Sequence, residues 1–168
     1  MELADFIHID PEAKVISLVH IKGSGSKAAN REAAPADYEI VVSQAVKNIR
    51  HLDRRLLLHE LTRGKAKKIG AAVWHDGVKQ PNREGFLKAV EKLPASASKV
   101  LIVLQPRLTK SEIARCRAAA ATPTRSMRIK QIDTLMLAAR ASLRAAPRSS
   151  ALQMKSECVV AAAEATIA

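Results

Sequence analysis

The chain has 168 residues, enough for one domain with a hydrophobic core and too few for two substantial ones. Apolar residues make up 48% of it, but alanine inflates that share and aromatics are only 2%, so the core has to be aliphatic and light. With 28 basic against 16 acidic residues the net charge is +12, which favours a polyanionic partner; the plainer reading is a basic soluble protein. No apolar run approaches a membrane span, and the acidic N-terminus is unlike a signal peptide, so a cytoplasmic protein is expected. Cys116 and Cys158 lie far apart without metal-ligand spacing, which argues for a reducing compartment and against a zinc site.

The opening stretch reads as two strands, Leu3 to Asp10 and Val15 to Lys22, around a turn at Pro11 to Lys14. The signals are apolar–polar alternation, β-branched residues and an Asp-Pro pair. Pairing symmetric about the turn sets Ile9 against Ile16, Ile7 against Leu18 and Asp5 against His20. Side chains alternate with period two, so Asp5, His20 and Lys22 share one face at the open end of the hairpin. A carboxylate, an imidazole and an ammonium at the rim of an apolar face form a candidate site.

Residues 23 to 36 follow as a Gly/Ser-rich loop, with Lys27 and Arg31 available to phosphate and no P-loop pattern. Pro35-Ala36-Asp37 opens a helix, with Asp37 as the expected N-cap, running to about Glu60. Tyr38, Val42, Ala45, Ile49, Leu52 and Leu56 make its apolar face, and Gln44, Lys47 and His51 a neighbouring stripe. Arg50, Arg54, Arg55, Arg63, Lys65, Lys67 and Lys68 make the helix and the turn after it densely basic, the strongest phosphate-contact candidates outside the hairpin.

Glu2-Leu3-Ala4-Asp5-Phe6, then His20-Ile21-Lys22-Gly23-Ser24, then Ser43-Gln44-Ala45-Val46-Lys47 resembles the PD-(D/E)xK, or restriction-endonuclease-like, nucleases. The likeness is to a branch associated with helicase and defence proteins, with His-x-Lys where Glu-x-Lys is usual, and it covers about the first third of the chain. It implies magnesium- or manganese-dependent phosphodiester hydrolysis, most readily of DNA. Asp5, His20, Lys22 and Gln44 would form the catalytic set, with Asp5, His20 and Glu2 as metal ligands. Glu2 ranks below the others, because strand alternation puts it on the opposite face from Asp5. Lys27, Arg31, Lys47, Arg50, Arg54, Arg63, Lys65 and Lys67 would contact the nucleic acid. Such nucleases often work as homodimers or within larger helicase-type assemblies. They also usually carry a helix and a strand before the Asp-bearing strand, so the chain is either a minimal version or an N-terminally truncated one.

Farther on, Ala71 to His75 reads as a short strand ending at Asp76-Gly77, with Trp74 and Phe86 as core anchors. Asn82 to Leu93 is a helix burying Phe86, Leu87, Val90 and Leu93, stopped by Pro94. Lys99 to Gln105 is an apolar run expected as a buried central strand. Thr109 opens a helix to about Ala120, with Glu112 completing a capping box. A linker through Thr124 precedes a helix over 127–146 whose apolar face is Ile129, Ile132, Leu135, Met136, Ala139 and Leu143. The order implies an α/β or α+β domain over 1–146, a small mixed sheet flanked by helices, with 147–168 as an edge strand or tail. Two other functions remain open: an inactive basic module that binds nucleic acid, and a protein-interaction subunit of a defence or mobile-element system.

Overall fold

A computed structural model describes residues 3–23, 34–63, 73–105, 110–118 and 123–145. Strands β1 (Phe6–Asp10) and β2 (Val15–Ile21) form the expected hairpin, with Ile9 paired to Ile16 and Ile7 to Leu18. Its turn is closed by Asp10, whose Oδ1 accepts the Ala13 N–H at 2.8 Å, and by Lys14 in the left-handed region at φ 55°. The Lys14 carbonyl then accepts the Ser98 N–H at 2.8 Å, anchoring the turn to the start of β5 (Ser98–Leu104). β5 runs parallel to β2, with Ile16 opposite Lys99, Leu18 opposite Leu101 and His20 opposite Val103. The sheet order is β1-β2-β5, so β2 is the central strand and β5, expected there, is the outer one. Its burial alternates residue by residue, as a strand covered closely on one face requires.

Helix α1 (Pro35–Asn48) crosses the face that carries Ile16, Leu18 and His20, burying Tyr38, Val41, Val42 and Ala45. Ala34 rather than Asp37 is its N-cap; Pro35 takes the first helical position and Asp37 lies in the first turn. The single helix expected to Glu60 is broken. A 3-10 turn (Ile49–Leu52) ends α1, and α2 (Arg54–Thr62) begins afresh at Asp53. The Asp53 carboxylate accepts the Arg55 and Leu56 N–H groups at 2.9 and 3.1 Å, so a side-chain cap replaces continuation of the helical ladder. The break shifts the phase, leaving Leu56 45% exposed while Leu57 and Leu61 are buried instead.

The hairpin of β3 (Val73–His75) and β4 (Val78–Gln80) turns at Asp76 and Gly77, both at positive φ, the backbone of a type I′ turn. His75 and Asp76, 3.9 Å apart, are both exposed at this turn. Trp74 is 62% exposed, which removes it from the core; Phe86 on α3 (Glu84–Lys92) does pack against it, with Leu87, Val90 and Leu93. Helices α4 (Lys110–Ala118) and α5 (Pro123–Ala145) pack on each other, and α5 lies on α1. Pro123 and Thr124, expected as linker, are instead the first residues of α5. Ile129, Ile132 and Ala139 are buried, and Leu135 and Met136 pack on the core. The expected capping box rests on Thr109, and the expected edge strand or tail on 147–168; both lie outside the described residues. One hydrophobic cluster runs from Leu3 to Ala139, consistent with a mixed α/β domain.

Candidate functional site

The parallel pair β2 and β5 ends where the hairpin opens. The Lys22 N–H donates to the Leu104 carbonyl at 3.1 Å, extending that ladder one residue past β2. On the other side the β1 ladder stops at Phe6 opposite Val19. Asp5 sits in a bend just before it, its N–H donating to the Val19 carbonyl at 3.0 Å. Its exposed carboxylate takes over where the ladder ends: Oδ2 accepts the Ile21 N–H at 2.6 Å. Strict strand pairing would have set Asp5 beside the His20 side chain; the bend sets its carboxylate on the backbone of the next residue.

His20 is 2% exposed, on the sheet face beneath α1, and its Nε2 has no hydrogen-bond partner among the described residues. Burial lowers its pKa from 6.5, opposed by the attraction of the Asp5 charge. The imidazole is therefore held neutral, with a nitrogen able to accept a proton or bind a metal. Lys22 stays half-buried at the rim. Asp5, His20 and Lys22 thus lie at the same end of the sheet, at the carboxyl ends of two parallel strands, where α/β sheets place ligands. Among the described residues, no group of three His, Cys, Asp or Glu side chains is arranged to hold a metal ion. Glu2, the remaining ligand candidate, lies outside them.

No protein-family model, curated protein or solved structure matches this chain. No helix among the described residues is long and apolar enough to cross a membrane.

The other candidates divide. Gln44 and Lys47 are exposed on α1, as is Arg50 on the turn after it. His51, expected on their stripe, is instead buried by that turn, its Nε2 accepting from Arg50 Nε at 3.3 Å. Arg63 pairs with Glu60 at 2.9 Å on the surface. Lys27, Arg31, Lys65 and Lys67 lie outside the described residues. Arg54 is committed elsewhere: its Nη1 donates to the Glu91 and Leu93 carbonyls at 2.9 and 2.5 Å, capping the end of α3. Arg54→Gln is therefore expected to cost about 1.5–3 kcal/mol of stability in a urea titration, the range for hydrogen bonds to a charged group.

Burial also picks out polar residues that the sequence reading passed over, among them Gln105, Asn48 and Lys99. Gln105 and Lys99 stand at either end of the β5 apolar run. Period two puts both on the face of Leu101 and Val103, a signal present in the sequence. Gln105 follows Leu104 in the register beside Lys22, and so belongs to the same end of the sheet.

The two buried imidazoles make stability depend on acid. His20 and His51 both have pKa values lowered by burial from 6.5, with Arg50 adding to the effect at His51. The unfolded chain then binds more protons below about pH 6.5, so stability rises with pH through that region and falls on acidification. Each imidazole contributes a slope of up to about 1.4 kcal/mol per pH unit between its folded and unfolded pKa. Urea midpoints measured between pH 7.5 and 5.5 are expected to decline, and a flat profile would contradict neutral burial of both.

Proposed function

We propose that this chain is a divalent-metal-dependent nuclease domain of the PD-(D/E)xK kind, cleaving phosphodiester bonds, most readily in DNA. The observation that carries the reading is the placement of Asp5, His20 and Lys22 at one end of the sheet, at the carboxyl ends of β2 and β5. The strong positive charge of the chain supports it.

On this reading the exposed Asp5 carboxylate would be the main holder of a Mg2+ or Mn2+ ion that keeps several of its waters, with the buried His20 Nε2, which has no partner among the described residues, as a further ligand candidate. Bound there, the ion would polarise the phosphoryl group and acidify a water. Asp5 would hold it with the oxygen not engaged by Ile21. His20, kept neutral by its surroundings, would bind it directly or through a water; direct binding favours manganese, the softer ion. Lys22, half-buried at the rim, would draw the scissile phosphate and stabilise the charge that develops on it. Exposed Lys47 and Arg50 would carry the flanking backbone, as charged residues that position without reading sequence. The resemblance adds a setting in a defence or mobile-element system, with a homodimer or a helicase-type assembly.

A second reading has its own observation. The net charge of +12 by itself suits an inactive module that binds nucleic acid through charge alone. Cleavage of plasmid, single-stranded DNA and RNA in magnesium, manganese or chelator separates the two. Cutting that needs the metal supports the nuclease. Salt-sensitive binding without cutting in any metal supports the module, and neither cutting nor binding turns attention to a protein partner.

A further inference from the structure

At the amino ends of β2 and β5, away from the proposed nuclease site, lies a cavity of about 250 Å³ between the sheet, the start of α2 and the end of α3. Ile16 and Lys99, paired across the strands, form part of its wall. They stand four residues from His20 and Val103, roughly 13 Å along the sheet at a strand's rise per residue. We propose that this cavity binds a small organic anion, a short carboxylic acid or a phosphate monoester, with its charged group on Lys99 and Arg55 and its body on Leu52, Leu93 and Ala97.

Lys99 carries the inference. Lysine normally keeps its ammonium in water even when its stem is covered. Here the residue is 8% exposed, lines the cavity, and makes no hydrogen bond or ion pair with any described residue. The ammonium is not among the atoms sealed from solvent, so it stays partly hydrated where the residue lines the cavity, and an anion there would replace that water. Burial lowers the lysine's pKa, and the nearby Asp53 carboxylate works against this. Asp53 is already spent as the cap of α2, bonded to the Arg55 and Leu56 N–H groups. Arg54, also in the wall, is turned to the α3 carbonyls. One carboxylate therefore faces an ammonium and two guanidiniums, and Arg55, exposed at the mouth, is the guanidinium left for a ligand.

The rest of the wall selects for more than a bare ion. Leu52, Leu93 and Ala97 are buried core residues, so a ligand with a few carbons gains apolar contact that sulfate or chloride cannot. The volume lies below the ~300–1,000 Å³ of drug-sized sites, which limits the occupant to something small. Nothing in this assignment rests on the nuclease reading, and either can fail alone.

The test is a methyl NMR titration of the full chain with butyrate, butyramide and inorganic phosphate at constant ionic strength. Saturable shifts at Ile16, Leu52 and Leu93 are expected with butyrate or phosphate, and none with neutral butyramide. Response to butyrate alone names a carboxylate, and response to phosphate alone a phosphate ester. Lys99→Met removes the charge while keeping much of the volume, and removing one partly desolvated charge should not unfold the chain. It is expected to weaken binding at least ~10-fold, the loss of one charged hydrogen bond. Arg55→Gln, at the exposed mouth, should weaken it less. Shifts that fail to saturate, equal binding of butyramide, or full affinity in Lys99→Met would each overturn the assignment. Should Lys99→Met not fold, full affinity in Arg55→Gln decides against it.

Discussion

Asp5→Asn is expected to lower metal-dependent cleavage at least ~100-fold, about 2.7 kcal/mol of transition-state stabilisation, while leaving folding stability within about 1 kcal/mol. The two halves of that expectation come from the two things the Asp5 carboxylate does. One oxygen accepts the Ile21 N–H at 2.6 Å, in place of the ladder that β1 no longer supplies. An asparagine carbonyl can accept the same hydrogen bond, so the end of β2 stays tied. The negative charge is what the substitution removes, and with it the group that would hold a divalent cation. Asp5→Ala removes both functions and mixes the two effects, which is why the asparagine variant is the sharper probe. The measurement is the initial rate on the preferred substrate in magnesium and in manganese, beside a urea titration of each protein. A variant that cuts at the wild-type rate would remove Asp5 from the site. One that loses cutting and several kcal/mol of stability together would make Asp5 a strand clamp first.

The same residue shows how far sequence reading reaches. Alternation and the Asp-Pro turn fixed the hairpin register because a one-residue slip would turn Ile7, Ile9, Ile16 and Leu18 out of the core. That register placed Asp5 and His20 at one end of the sheet. It could not foresee the bend at Asp5, since pairing patterns say nothing about where a ladder ends. The break at Asp53 was hidden for a related reason. Arg54 to Leu61 continues a helical pattern, and an aspartate inside it reads equally as an exposed helix residue or a cap. The strand Val78–Gln80 has a single apolar residue and no periodicity of its own; only the Asp76-Gly77 turn implied it. The β5 run was legible as a strand, but its place beside β2 rather than at the centre depends on long-range pairing. Lys99 and Gln105 were read as the ends of that run, though the same alternation assigns them to its buried face. Arg54 looked like one more member of a basic stretch, and only the approach of α3 gives it a structural task.

Leu18→Ala is expected to be among the most destabilising single truncations in the chain, costing about 2–5 kcal/mol against a typical total of about 5–15. Leu18 is 0% exposed at the middle of the central strand, between Ile7 on β1 and Leu101 on β5, beneath α1. Its neighbours are held from three sides: both flanking strands are hydrogen-bonded to β2, and α1 is held in turn by α5. The site therefore has little freedom to collapse, which puts the cost toward the upper part of the range. A chain with only 2% aromatic residues also has few large side chains to swing into the gap. Phe6→Ala, a larger truncation one strand away, should cost far less, because Phe6 is 62% exposed. Urea titrations of the two variants at neutral pH provide the comparison. Equal losses would mean that β2 is not the centre of the core. A large loss at Leu18 with cleavage retained in the folded fraction would separate the scaffold from the chemistry proposed at His20, two residues along the same face.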